Sequence, residues 1–154
     1  MDLSAELSLT VENRLAELAE FALDVERFLH GFGVPEPTIL VINLAIEELL
    51  TNTIKYGHAD RLRHAIRVKL TVADGEITVG IEDDAAAFDP FARAPVDTAA
   101  PLEERRPGGL GLHLIKEMIE RVDYRRVADR NLVTLCQPFT AVADGGPQRE
   151  SCYE

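Results

Sequence analysis

The sequence predicts an α+β fold, a two-layer sandwich in which one mixed, mostly antiparallel sheet is covered by about three helices. Three observations lead there. Runs of period-two character come in pairs about short turns: HAIRVKLTV (His64–Val72) and EITVGI (Glu76–Ile81) around Asp74-Gly75, then two more near Asp123–Ala128 and Leu132–Gln137. Stretches with helical spacing lie between these strand groups, which fits one sheet and one layer of helices. The chain has 154 residues, 46% hydrophobic and 28% charged, enough for a single core. Residues 1–139 are expected to form that one domain, and 140–154 a flexible tail.

Each element has its own signal. LSLTV (Leu7–Val11) alternates and predicts the first strand. Asn13 is read as the N-cap of a helix over about Arg14–His30, where Leu15, Leu18, Ala19, Ala22, Val25 and Leu29 recur at three- and four-residue steps. Gly31 and Gly33 stop it. A second helix begins around Pro35-Glu36-Pro37 and runs to about Tyr56, with Gly57 as its end. The Asp74-Gly75 hairpin follows, and its second strand empties into Glu82-Asp83-Asp84 and AAAFDPF. Ala85–Pro107 holds four prolines and no period, which predicts a long loop, and long loops in compact chains are usually lids or binding segments. Gly108-Gly109-Leu110-Gly111 then opens a helix, LHLIKEMIERV, to about Val122. The last two strands turn at Asp129–Asn131.

The totals exclude several classes. A net charge of −11, from 16 basic and 27 acidic residues, argues against direct nucleic-acid binding, which rests on neutralising phosphates. An acidic chain can still hold a nucleotide where phosphates meet local positive ends. Cys136 and Cys152 form no disulfide framework or metal pattern. The N-terminus lacks the signal-peptide pattern, and the longest apolar segment is interrupted by Asn43, Glu47 and Glu48. The expectation is a cytoplasmic protein that makes no membrane contact.

Four features carry chemistry. The first is NLAIEELLTNTIKYGH (Asn43–His58), an apolar helix interrupted by Glu48, Asn52, Lys55 and Tyr56. Helical steps set Glu48 and Asn52 roughly 40° apart, with Lys55 and Tyr56 continuing that face. A carboxylate can take a proton, an amide oxygen can hold a hard cation and a lysine can meet phosphate. A solvated helix face would carry the same residues. The second is the glycine loop Gly108, Gly109 and Gly111 before a helix, where backbone N–H groups can approach an anion. It matches neither the Rossmann fingerprint nor the P-loop. The third is Asp83 at a strand end, able to accept a hydrogen bond from an exocyclic amine, or else a turn or surface acid. The fourth is Thr134 on the last strand, by itself simply a strand threonine. His30, His58 and His64 are read as surface or helix-end residues without metal spacing, and Arg121–Arg126 as an exposed strand start.

Together these pieces resemble the GHKL ATP-binding superfamily. Glu48 to Tyr56 (ELLTNTIKY) is similar to its N-box, Asp83-Asp84-Ala85 with Phe88-Asp89-Pro90 to its G1 box, and Gly108 to His113 (GGLGLH) to its G2 box. Order and spacing match over roughly residues 7–138. The short form, with FDP and GGLGLHLI, most resembles anti-sigma-factor serine-protein kinases of the RsbW and SpoIIAB type. The resemblance implies the Bergerat version of the sandwich, with ATP and Mg2+ as cofactors. It implies Glu48 as general base, Asn52 as the Mg2+ ligand, Lys55 facing the phosphates and Asp83 accepting from the adenine amine. Thr134 would back that contact. Gly108, Gly109, Leu110, Gly111 and Leu112 would cap the phosphates beneath a lid over Ala85–Pro107. Arg105 and Arg106 are candidates for the γ-phosphate, more simply explained by lid solubility.

The implied function is phosphorylation of a serine on a STAS-type anti-sigma-factor antagonist, together with binding of a sigma factor and possible homodimerisation. One position departs from the pattern: Ala85 stands where the family usually has glycine, and Ala87 replaces another Gly or Pro. A methyl at 85 is expected to weaken adenine binding unless the backbone angles suit alanine. That keeps open a docking module of the same fold without chemistry. A detached ATP-binding half of a histidine-kinase system is less well supported, because His30 lacks the acidic neighbour of a phosphoacceptor.

Overall fold

The computed structural model describes residues 4–92 and 109–142. Strand β1 (Ala5–Glu12) leads through a 3-10 turn (Leu15–Glu17) into α1 (Leu18–His30), and α2 follows (Glu36–Tyr56). Strands β2 (Ala65–Ala73) and β3 (Glu76–Asp83) form the central hairpin. Helix α3 (Gly109–Met118) precedes the hairpin of β4 (Arg121–Val127) and β5 (Arg130–Pro138). The sheet runs β1-β2-β3-β5-β4. The α+β sandwich expected from the sequence is therefore present, but every strand pair is antiparallel, not mixed. Two helices return the chain between β1 and β2, so those neighbours run oppositely. One helix between β3 and β4 would give a parallel pair, except that β5 inserts between them.

Both hairpin turns are two-residue loops with positive φ at both central positions. Asp74 and Gly75 have φ of 51° and 70°, and Ala128 and Asp129 have 48° and 61°. That is the turn whose twist matches the flanking strands, which fixes register.

One face of the sheet meets the helices. Phe21, Val25 and Leu29 of α1, and Ile42, Ile46 and Leu50 of α2, pack over Ile66, Val68 and Leu70 of β2, Ile77 and Val79 of β3 and Leu135 of β5. The alternating burial of β2 and β3 puts Arg67 and Lys69 on the other, solvated face. Each fully buried aliphatic side chain contributes about 1.5–3 kcal/mol, so the layer interface is the main source of stability.

Three local expectations change. Asn13 does not cap α1. Its Oδ1 accepts from the His64 N–H (2.9 Å) and its Nδ2 donates to the Leu62 carbonyl (3.2 Å), tying the end of β1 to the strand that pairs with it. No side chain caps the helix start, and the Glu17 carboxylate accepts instead from the Glu12 N–H at the end of β1, at 2.7 Å. Arg121 and Val122 belong to β4 because their pairing with Cys136 and Leu135 extends the ladder beyond the helical pattern. The expected tail is held at its start, where the Val142 N–H donates to the Gly33 carbonyl at 2.9 Å. Residues 93–108 of the expected lid and glycine loop, Arg105 and Arg106 included, and residues 143–154 lie outside the described residues.

Candidate active site

A cavity of about 240 Å3 opens between the C-terminal half of α2 and the ends of β3 and β5. Leu49, Asn52, Thr53 and Tyr56 form its helix wall, four positions that helical spacing places on one face. Ile81 and Asp83, and Asn131 and Val133, are same-parity pairs on neighbouring strands and form the floor. Gly57, Ala85, Ala86 and Phe88 form the rim.

Asp83 is the buried charge of this cavity, 5% exposed. A buried carboxylate must be hydrogen-bonded to survive there. Its Oδ1 accepts from the Ala85 N–H and from Asn131 Nδ2, both at 2.9 Å. Among the described residues its Oδ2 has only the Thr53 hydroxyl, at 3.5 Å. One oxygen is thus committed to the protein and the other is available to a donor in the cavity.

Asn131 was missed by sequence reasoning. It is 4% exposed, and its amide is used at both ends. Nδ2 also donates to the Ala86 carbonyl (3.0 Å), while Oδ1 accepts from Tyr124 (2.6 Å) and Arg126 (3.0 Å). Arg126 donates as well to the Ala85 carbonyl at 2.8 Å. Tyr124 and Arg126, within the stretch expected as an exposed strand start, are therefore part of the frame that holds Asp83. Thr134 is not. On β5 the buried positions are Asn131, Val133 and Leu135, so strand parity turns Thr134 to the opposite face and the backing role falls to Asn131.

The α2 stripe divides. Asn52 lines the cavity and its NH2 donates to the Glu48 carbonyl (2.8 Å) and Glu48 Oε1 (3.3 Å), which leaves the amide oxygen for a cation. Glu48 sits beneath α3, where a methyl built on Gly111 would overlap its carboxylate. A side chain at 111 would displace the Glu48 carboxylate from this position. Lys55 does not reach this cavity. It lines a separate space of about 430 Å3 between α1 and α2, beside Leu15, Asn43 and Glu47. Three residues past Asn52 turns a side chain roughly 60° back towards α1, whereas four turns it onwards to Tyr56. Leu112 is buried in α3, and Gly109 and Leu110 belong to its first turn.

Ala85 is 4% exposed and is not among the residues with positive φ, so alanine is unstrained there. Its methyl is accommodated by Gly57, where an added Cβ would stand 2.9 Å from Ala85 Cβ and 2.6 Å from the Thr53 carbonyl. Gly57 has an ordinary helical φ of −75°, so its glycine is required by crowding and not by conformation.

His58 and His64 are brought together, contrary to the expectation of isolated surface histidines. Their rings stack with centroids 3.6 Å apart and planes 8° from parallel. Asp84 faces both, Oδ1 to His58 Nε2 at 2.8 Å and Oδ2 to His64 Nδ1 at 3.1 Å. Asp60 faces His64 Nε2 at 2.9 Å. Hydrogen bonds to Asp60 and then Asp84 raise the His64 pKa above its usual 6.5. The Leu62 N–H, then His64, hold Asp60 below 3.8. Partial burial works to raise Asp84, but its hydrogen bonds to His58 and His64 outweigh this and hold it below 3.8.

Residues 11–137 match the histidine kinase-like ATPase domain. The serine/threonine-protein kinase BtrW of Bordetella bronchiseptica is 29% identical over 94 residues, which cover 61% of this chain and 66% of that protein. The serine-protein kinase RsbW of Listeria monocytogenes is 28% identical over 53% of this chain and 54% of its own length. An anti-sigma F factor of Clostridium botulinum is 28% identical over 55% of this chain and 62% of its own length. The match thus spans between about half and two thirds of these relatives. Among solved structures, the RsbU and RsbW domains of Rv1364c from Mycobacterium tuberculosis align with a TM-score of 0.66 and 17% identity. That alignment covers 90% of this chain and 34% of the other, and it establishes a shared fold.

Proposed function

The chain belongs to the histidine kinase-like ATPase domain family, and from that premise we propose that it is an ATP-dependent protein kinase acting on a serine of a small regulatory protein. The observation that carries the proposal is the buried Asp83, with one oxygen held by the protein and the other open to a cavity walled by Asn52. A space of about 240 Å3 suits a single ring system rather than a whole ligand, whose clefts usually exceed ~300 Å3.

Each residue has a role in this proposal. Asp83 Oδ2 accepts from the exocyclic amine of adenine, while Asn131, Tyr124 and Arg126 keep Oδ1 occupied and the carboxylate oriented. Bound ATP with Mg2+ would supply the transferable γ-phosphoryl group and the neutralising cation. Asn52 offers its amide oxygen to that cation, a hard-oxygen donor of the kind magnesium prefers. Glu48 receives the proton of the attacking serine hydroxyl. Gly108 to Leu112 bring backbone N–H groups and the positive end of α3 to the phosphates.

The names of the relatives, a serine-protein kinase and an anti-sigma F factor, support a serine as acceptor and a sigma factor as partner; an anti-sigma-factor antagonist of the STAS type as substrate and a homodimer are proposed from the motif resemblance alone. The docking module without chemistry rested on Ala85. Since that methyl is seated against Gly57 in an unstrained backbone, the cavity remains open and the kinase reading is preferred.

Titration calorimetry of Mg-ATP into the purified chain tests the proposal, followed by transfer of labelled phosphate to candidate antagonist proteins. Binding is expected to be lost in Asp83→Asn and to lose its magnesium dependence in Asn52→Ala. No binding by the unaltered chain would end the nucleotide assignment. Binding without transfer to any serine would favour docking alone.

A further inference from the structure

Beside the cavity, on the other side of the chain from Asp83, three segments converge on one point: the end of α2 at His58, the residue before β2 at His64, and Asp84 just past β3. We propose that His58, His64 and Asp84 form a binding site for a divalent cation of the zinc class, separate from the nucleotide cavity.

The three side chains stand close together. One donor atom from each of the three residues lies within 4.8 Å of the others, a separation that one ion can span. The rings are stacked with nearly parallel planes, which share no common point, so binding one ion would turn one ring until both in-plane lone pairs meet it beside Asp84. In the tautomer protonated at Nε2, His64 donates to Asp60 and carries its lone pair on Nδ1. A carboxylate behind a histidine is the arrangement that orients metal-bound imidazoles and raises their basicity.

His58 supplies an independent observation. Its side chain is 8% exposed, and its buried Nδ1 has no hydrogen-bond partner among the described residues. Its other nitrogen, Nε2, meets Asp84 Oδ1 at 2.8 Å and faces the converging point, where a metal ion bound between the two would replace that hydrogen bond. Asp84, 43% exposed, leaves the site reachable from solvent and a coordination position for water.

The donor set selects the metal. Two imidazoles and one carboxylate suit zinc, cobalt, nickel or copper, whereas magnesium and calcium prefer oxygen throughout. The bound ion would clamp the α2–β2 connection to the end of β3. The Ala86 N–H already donates there to the Gly57 carbonyl at 3.2 Å, and Gly57, Asp83 and Ala86 all belong to the cavity wall.

The test uses the full chain after treatment with a chelator. Cobalt chloride is added stepwise and followed by its visible spectrum, then zinc chloride by calorimetry. One equivalent is expected to bind, with no thiolate charge-transfer band, and millimolar magnesium should not displace it. His64→Ala and Asp84→Asn should each weaken binding at least tenfold, and Asp60→Asn about tenfold, the range seen for residues behind a metal ligand. His30→Ala, at the exposed Glu26, His30 and Glu36 group, should bind as the unaltered chain does. Circular dichroism shows whether each variant is folded. If one does not fold, the decisive reading is the thermal shift given by zinc in Asp84→Asn, which should vanish. The proposal is overturned by absence of saturable binding, by binding unchanged in Asp84→Asn, by displacement with magnesium, or by binding that depends on His30.

Discussion

Asn131 occupies a position where a single amide decides the state of a buried charge. Removing it in Asn131→Ala strips Asp83 of one 2.9 Å donor and takes the acceptor from the Tyr124 hydroxyl, while Arg126 keeps its bond to the Ala85 carbonyl. The expected cost is about 1–3 kcal/mol in denaturant unfolding, with weaker Mg-ATP binding in calorimetry. Asn131→Asp should be worse, since it replaces that donor with a second carboxylate. Gly57→Ala should destabilise by about 1–3 kcal/mol, because the added methyl meets the Thr53 carbonyl and Ala85. Ala85→Gly should give no gain in nucleotide affinity and a small loss of stability, about 0.5–1 kcal/mol, from added backbone freedom. Comparable loss on both substitutions would contradict the assigned crowding.

At this scale the sequence was only partly informative. Glu48, Asn52 and Asp83 could be picked out because charged or amide groups interrupt apolar patterns. Asn131 could not, since it was taken as the end of a turn. The overlooked signal is strand parity, as Asn131 shares its face with Val133 and Leu135. Thr134 lies on the face opposite Asn131 and Val133, and Lys55 lies outside the cavity lined by Asn52, because one residue along a strand or a helix redirects a side chain. His58 and His64 share one connection, and the pairing of β2 with β3 brings Asp84 to both, which spacing along the chain does not reveal.

Among the elements, α2 has two duties, since one face supplies core and another the cavity wall. Leu50→Ala, fully buried on the core face, should cost about 2–5 kcal/mol in chemical denaturation. The connection from Gly57 to His64 should be sensitive to pH in the metal-free chain. The His64 pKa is raised on folding, so its contribution is complete below about 6.5 and is lost as pH rises through the higher folded value. Asp60 and Asp84 are lowered, so theirs is present above about 3.8 and is lost as pH falls through their folded values. Thermal scans of the unaltered chain and of Asp60→Asn across those two windows check both signs. A midpoint that rises with pH through the upper window would contradict the first. The hairpins were legible because Asp74-Gly75 is a local turn signal. The limits of α3 and β4 were not, because pairing of Arg121 and Val122 with a later strand decides them.

For the molecule as a whole, a ligand that binds only the folded state adds stability by mass action. At a hundredfold excess over Kd, Mg-ATP should contribute about 2.7 kcal/mol and raise the thermal midpoint by roughly 5–10 °C. Asp83→Asn should abolish the shift, and scanning calorimetry distinguishes the two. A shift that survives in Asp83→Asn would place the nucleotide elsewhere.

The placement of β5 between β3 and β4 has a consequence for the protein as it is made. Asp83 and the Asn131 that steadies it are separated by 48 residues, and the strand carrying Asn131 is the last of the sheet. A nascent chain that has emerged only as far as α3 has two adjacent hairpin strands but lacks the floor of its cavity. Loop closure over that distance comes late in folding, and synthesis proceeds from the N-terminal end. The cavity is therefore completed only when β5 has been made and has paired with β3.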